Sequence, residues 1–122
     1  MKKHLVIADD FTGACEIGEK YHKKGRAVEV SVSYCPSHIG TLVVDTETRN
    51  KTEEEAATYM EKLLRYIEFS QYELVLKKID STLRGNIGNE IQTILDELGW
   101  DAAVVVPAFP TEGRTTVGGY HL

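Results

Sequence analysis

Residues 77 to 88 read Lys-Lys-Ile-Asp-Ser-Thr-Leu-Arg-Gly-Asn-Ile-Gly, gathering a carboxylate, two hydroxyls, two lysines, an arginine and two glycines. A loop with only a structural role has little reason to collect such a set, and the stretch reads as a site for a small polar anion. Arg84, and Arg49 further up the chain, each follow a strand-like segment and can grip a carboxylate with a planar fork of donors. The competing reading of each is a surface arginine paired with a nearby Asp or Glu. A hydrogen bond to a charged group contributes roughly 1.5 to 3 kcal/mol, so one bidentate pair can dominate recognition of a small acid. Asp80, Ser81 and Thr82 can bond ligand hydroxyls, although the same types also build turns. Lys77 and Lys78 fall on opposite faces of an extended chain, which predicts that one faces the site and the other is solvated. Gly85 and Gly88 permit close backbone approach, and a helix beginning near Asn86 offers free N–H groups to an anion, with Asn86 itself a possible cap.

A second polar cluster lies near the start, where Asp9 and Asp10 follow a short apolar run. A positioned carboxylate can orient an attacking hydroxyl and take its proton, which phosphoryl transfer requires. The same residues, or Thr12, can instead cap the helix that follows. Arg114, in a glycine-rich end, can approach either an acid or a transferring phosphate. Phe109, between Pro107 and Pro110, reads more as a packing plug than as a ligand contact. His4, His22, His38 and His121 are scattered, and no metal site is expected.

These side chains need a frame, and the apolar pattern supplies one. Leu5 to Ala8 is a continuous apolar run, the mark of a strand covered on both faces. A helix is predicted from Thr12 to about Lys24, with Gly25 as its stop. Ala27 to Ser33 alternates apolar and polar residues, as an edge strand would. Thr41 to Asp45 reads as a third strand, and Thr52 with Glu55 forms a capping-box signature that opens a helix to Ile67. Glu73 to Lys77 reads as a buried fourth strand, the helix after it ends at Gly99, and Ala102 to Val106 reads as a fifth strand. Residues 111 to 122 show no periodicity. Alternating strands and helices predict an α/β, three-layer open sheet, mainly parallel, of about five strands with helices on both faces. In such a sheet, ligands sit in the crevice outside the carboxyl ends of the strands, where both polar clusters fall.

The chain has 122 residues, 42% hydrophobic and 27% charged, enough for one ordinary globular domain. Its net charge of −5 argues against a nucleic-acid or membrane-surface role. Cys15 and Cys35 fit no metal spacing and are expected as free thiols. The apolar run behind the basic start is too short for a signal peptide or membrane span, so a cytoplasmic protein is expected.

Four blocks carry a family resemblance: Ile7 to Ala14, Val44 to Arg49, Lys77 to Gly88, and Pro107 to Pro110 with Gly113, Arg114 and Thr115. In this order, across nearly the whole chain, they resemble the amino-terminal, sugar-binding domain of the four-carbon acid sugar kinases. The resemblance implies an ATP-dependent kinase, using ATP and Mg²⁺, that phosphorylates a hydroxyl of threonate, erythronate or an oxo-tetronate. On this reading Asp10 or Asp9 is the catalytic residue that orients the hydroxyl, Arg84 and Arg49 hold the carboxylate, and Lys77 or Lys78, Asp80 and Ser81 fix the rest, with Gly85 and Arg114 completing the expected substrate-binding set. Its expected partners are the acid sugar, a carboxy-terminal nucleotide-binding domain and a second copy of the chain.

In that family the glycine-rich block ending here at Leu122 lies inside the chain. Residues 1 to 122 are therefore expected to be an N-terminal fragment, inactive alone. No P-loop pattern of Gly, four residues, Gly, Lys and Ser or Thr occurs. Two alternatives stand beside this reading. One is a stand-alone small-anion-binding module without catalysis. The other is a haloacid-dehalogenase-like phosphatase, which is weakened because Phe11 and Thr12 stand where a second Asp would be required.

Overall fold

A computed structural model describes residues 2–36 and 40–122. The sheet is built from β1 (Lys3–Ala8), β2 (Val28–Ser31), β3 (Thr41–Asp45) and β4 (Tyr72–Lys78), in the order β2-β3-β1-β4 with every pairing parallel. Three helices cover it: α1 (Phe11–Lys23), α2 (Glu53–Tyr66) and α3 (Ile87–Leu98). The alternation along β1 divides the core. Leu5 and Ile7 pack with Leu42, Val44, Met60, Leu63, Leu64, Ile67 and Ile94 beneath α2 and α3. Val6 and Ala8 pack with Val43 and Ala14 beneath α1. The α/β reading and the helices on both faces are thus observed.

Local signals act where the sequence places them. Asp10 caps α1 through its side chain, which accepts from Gly13 N at 3.0 Å. The capping box at Thr52 and Glu55 is formed at the start of α2. Gly99 closes α3 at φ 64°, a left-handed cap that side chains with a Cβ disfavour. Gly18 lets α1 settle on β2, since a Cβ there would lie 2.8 Å from Val30 Cγ2. Cys15 and Cys35 are free.

Three expectations about the elements are corrected. Among the described residues, 102–106 pair with no strand, Val104, Val105 and Val106 stay exposed, and the main sheet has four strands rather than five. An apolar cavity of about 430 Å³ separates this segment from β4 and α3. Consequently β4 is an edge strand, with Leu74 exposed, and not the fully buried strand its composition suggests. The second strand is shorter than 27–33, although it does occupy the other edge. Within residues 111–122, where the sequence shows no periodicity, β5 (Thr116–Val117) and β6 (Tyr120–His121) form a small antiparallel hairpin.

Parallel strands bring their carboxyl ends to one side. The turn after β1 leads to α1 on one face, while the loops after its neighbours β3 and β4 lead to helices on the other. Such a reversal opens a crevice above the strand ends, and both polar clusters flank it.

Candidate functional site

A cavity of about 690 Å³ occupies this crevice. Of the residues expected to act there, Asp10, Arg49, Lys77, Lys78, Asp80, Ser81, Arg84 and Arg114 all line it. The remaining two, Asp9 and Gly85, support it from behind.

Backbone and side-chain bonds stitch the three loops together. Thr46 N donates to Ala8 O at 2.8 Å and Arg49 N to Asp9 O at 3.2 Å, so the loop after β3 runs on beside the end of β1. Asn86 makes no side-chain cap for α3; its Nδ2 donates to Thr48 O and Lys51 O at 3.1 and 2.9 Å, tying the third loop to the second. Two non-glycine residues in the left-handed region, Glu47 and Leu83, sit in these same loops. Such conformations are costly and hold only where the surroundings over-determine them.

At the back of the cavity, Arg49 Nη2 lies 2.9 Å from Asp9 Oδ1 and 3.0 Å from Asp10 Oδ1, and Nε donates to Asp9 Oδ2. Asp9 is 1% exposed. Gly85 (φ 95°) passes so close that a Cβ would meet Asp9 Oδ2 at 2.6 Å and Arg49 Cγ at 3.3 Å. Its expected importance therefore has a definite cause: it leaves room for the Asp9–Arg49 pair. Asp10 serves the α1 cap and the Arg49 ion pair together while still reaching the cavity.

Arg84 occupies the front. Its Nε donates to Asp80 Oδ2 at 2.6 Å, the Arg84 backbone N–H donates to the same oxygen, and Thr82 Oγ1 is a further close donor. The Arg84 hydrogen bond above all, with the Thr82 hydroxyl and the Arg84 backbone N–H, holds the Asp80 carboxyl well below its ordinary range despite opposing burial. Arg114 reaches back to the same loop, donating from Nη1 to Ser81 Oγ at 2.8 Å.

The two lysines do not divide as expected. Lys77 is almost wholly buried, with burial pushing its ammonium below its usual range, and Lys78 is half-buried with Nζ on Ile79 O at 2.8 Å. Both line the cavity because it lies over the end of β4 and not against one face, so alternating side chains both reach it.

Sequence reasoning passed over several participants. Lys20 lines the cavity with its Nζ 5.1 Å from the Phe109 ring centroid, and Phe109 lines the cavity too. Its helical spacing from Gly13, Glu16 and Ile17, which also line the cavity, was the available signal for Lys20. Glu90 on α3 is fully buried beneath the site, 3.7 Å from Lys77 Nζ and 2.8 Å from Thr48 Oγ1. Burial pushes the Glu90 carboxyl upward. Asp45, at the end of β3, is also buried, and burial raises it to about 6. Nothing in the local sequence marks either carboxylate as an interior group.

Six cations line the cavity, Lys20, Arg49, Lys77, Lys78, Arg84 and Arg114, against four carboxylates, Asp10, Glu16, Asp80 and Glu112. Asp10 and Asp80 are already engaged by arginines. Among the described residues, no carboxylate lies within ion-pair distance of Lys20, Lys78 or Arg114. In a chain of net negative charge, this is a concentration of cationic donors suited to an anion with several oxygens.

Comparisons with known proteins agree in kind. A family model described as a sugar-binding N-terminal domain matches residues 4–122. A D-erythronate kinase of Heliobacterium modesticaldum is 42% identical over 129 residues, covering 100% of this chain and 29% of its own length. A D-threonate kinase of Salmonella typhimurium is 43% identical, covering 96% of this chain and 29% of its own length. A crystal structure of a domain of unknown function from Bordetella bronchiseptica, a domain-swapped dimer with bound citrate, superposes with a TM-score of 0.89 at 30% identity. It covers 99% of this chain and 33% of that one. The chain thus spans about three tenths of the length of these curated relatives.

Proposed function

Taking as premise that the chain belongs to the sugar-binding N-terminal domain family, we propose that its strand-end cavity holds a four-carbon acid sugar for phosphorylation by the whole kinase. The observation that carries the reading is the set of cavity-lining cations left without a carboxylate partner, Lys78, Arg114 and Lys20. These take the acid group, with Arg84 adding the guanidinium N–H groups that Asp80 does not use. Asp80 and Ser81 receive the sugar hydroxyls. Asp10, the member of the aspartate pair that reaches the cavity, orients the attacking hydroxyl, and Asp9 holds Arg49 in place behind it.

The chemistry asked of these residues is positioning and electrostatic support, which is most of what phosphoryl transfer needs from a protein. ATP and Mg²⁺ are the donor and metal that a kinase implies. The residues present do not fit them: no P-loop pattern occurs, and no three His, Cys, Asp or Glu side chains among the described residues gather as metal ligands. The rest of the kinase is the partner that would supply them, and self-association into a homo-oligomer is a further expected contact. No helix among the described residues is long and apolar enough to cross a membrane.

The test is a titration of this chain with D-threonate and D-erythronate followed by amide NMR. Saturable shifts are expected at residues 9–13 and 77–85. Lys78→Ala should weaken binding by roughly 10- to 100-fold, the loss of one charge-assisted hydrogen bond. A folded sample showing no shifts with either acid, or binding unchanged by Lys78→Ala, sinks the reading.

A further inference from the structure

Beneath the cavity, three oxygen contacts run in series through the interior. Thr46 Oγ1 lies 3.0 Å from Ala8 O, Thr46 Oγ1 lies 2.7 Å from Thr48 Oγ1, and Thr48 Oγ1 lies 2.8 Å from Glu90 Oε1. Each contact at such a distance needs one proton between its oxygens. The Ala8 carbonyl supplies none and each threonine hydroxyl supplies one. Two protons therefore serve three contacts if Glu90 is ionised, and one pair of oxygens must face each other with lone pairs only. A third proton on Glu90 resolves the chain in a single direction, from Glu90 to Thr48, from Thr48 to Thr46, and from Thr46 to Ala8 O.

From this count we propose that Glu90 is a neutral carboxylic acid at neutral pH, acting as a positioning residue that holds the Thr46–Thr48 loop against α3 and leaves Lys77 without an ion-pair partner at the floor of the cavity. Its surroundings agree. Glu90 is 0% exposed, and its Oε2 is buried with no hydrogen-bond partner among the described residues, a setting far more costly for an ionised oxygen than for a carbonyl oxygen. The charged groups acting on it are Lys77 from β4, at 3.7 Å, and Asp9 from the end of β1, itself engaged by Arg49. Burial, the largest influence, opposes ionisation, as does Asp9, while Lys77 and a hydroxyl proton from Thr48 favour it.

The role at the cavity follows from charge. An ionised Glu90 would cancel Lys77 internally. A protonated one holds the Thr46–Thr48 loop against α3 by hydrogen bonding alone, and Lys77, whose Nζ donates to Lys78 O at 3.1 Å, is left as a donor to a ligand at the floor of the cavity. This last step rests on the acid-sugar reading; the protonation of Glu90 does not.

The decisive measurement is carbon-13 NMR of this chain carrying carboxyl-labelled glutamate, from about pH 5 to about pH 8, where an ordinary glutamate is ionised. The Glu90 carboxyl carbon, assigned through the backbone and by its disappearance in Glu90→Gln, is expected at the protonated-acid position at pH 7. A matching acid carbonyl stretch should appear in the infrared spectrum and vanish in the same variant. A Glu90 carbon at the ionised position across that range overturns the proposal.

Lys77→Met provides a second arm. If Glu90 is already neutral, its carbon stays in place; if the two form an ion pair, loss of Lys77 moves it to the protonated position, and the proposal fails. Should D-threonate not bind the wild-type chain, the acid-sugar reading fails while the Glu90 resonance still reports its own outcome.

Discussion

Arg49 and Arg84 each pair with an aspartate at the same cavity, yet the two pairs are physically unlike. Arg49 is 14% exposed against an Asp9 side chain at 2%, and its partner lies 40 residues away on another strand end. Arg84 is 68% exposed and bonds Asp80 four residues before it in the same loop. The buried pair ties β1 to the loop after β3, so breaking it leaves a dehydrated charge inside the fold. The exposed pair orders one loop and stays in reach of water. The contrast teaches that a shared chemical pairing can join distant strand ends in one place and order a single exposed loop in another, with burial deciding which.

The largest expected effect tests the architectural half. Arg49→Ala should lower stability by about 3 to 5 kcal/mol by stranding Asp9, read as a loss in denaturant midpoint. A loss no greater than that of Arg84→Ala would erase the distinction. Gly85→Ala comes next, since it forces a Cβ against Asp9 and places alanine at φ 95°; a cost of about 2 to 3 kcal/mol is expected, together with weaker ligand binding. Retention of wild-type stability would show that the loop moves freely away from the buried pair.

Asp45 sharpens the comparison through pH. Its folded value, raised to about 6, lies above its unfolded value of about 3.9, so the folded state binds the proton more tightly. Stability is then full below the unfolded value and declines as pH rises through the folded one. Asp45→Asn should accordingly leave the melting temperature unchanged near pH 4, and raise it near pH 8 by an amount corresponding to roughly 1 to 2 kcal/mol. Equal effects at both pH values would remove protonation as the cause.

Arg84→Ala is the smallest change to the fold and the sharpest for function. Its melting temperature should stay near that of the wild type, while D-threonate affinity falls by roughly tenfold, the size of a lost charge-assisted hydrogen bond. A variant that unfolds, or that binds unchanged, would place Arg84 with the architecture.

Much of the frame was legible because its causes are local. The capping box at Thr52 and Glu55, the left-handed stop at Gly99 and the two-residue alternation of β1 each depend on a few neighbouring residues, and each is present as read. The strand ends that carry the site were legible for the same reason, since a strand followed by a helix has only one place to put its turn. The fifth strand misled because Ala102 to Val106 has the composition of a buried strand, whereas pairing is a property of what lies alongside it.

What the sequence determined by itself is therefore the periodic elements, their caps and the stretch of polar residues from Lys77 to Gly88. Which of those groups share an interior was decided only by the tertiary structure. Arg49 meets Asp9, and Glu90 meets Thr48 and Lys77, because α3 and three parallel strand ends converge there. Spacing along the backbone governs interactions between near neighbours. Dehydration and proton sharing depend on which distant surfaces are pressed together, and only the packed fold brings those surfaces into contact.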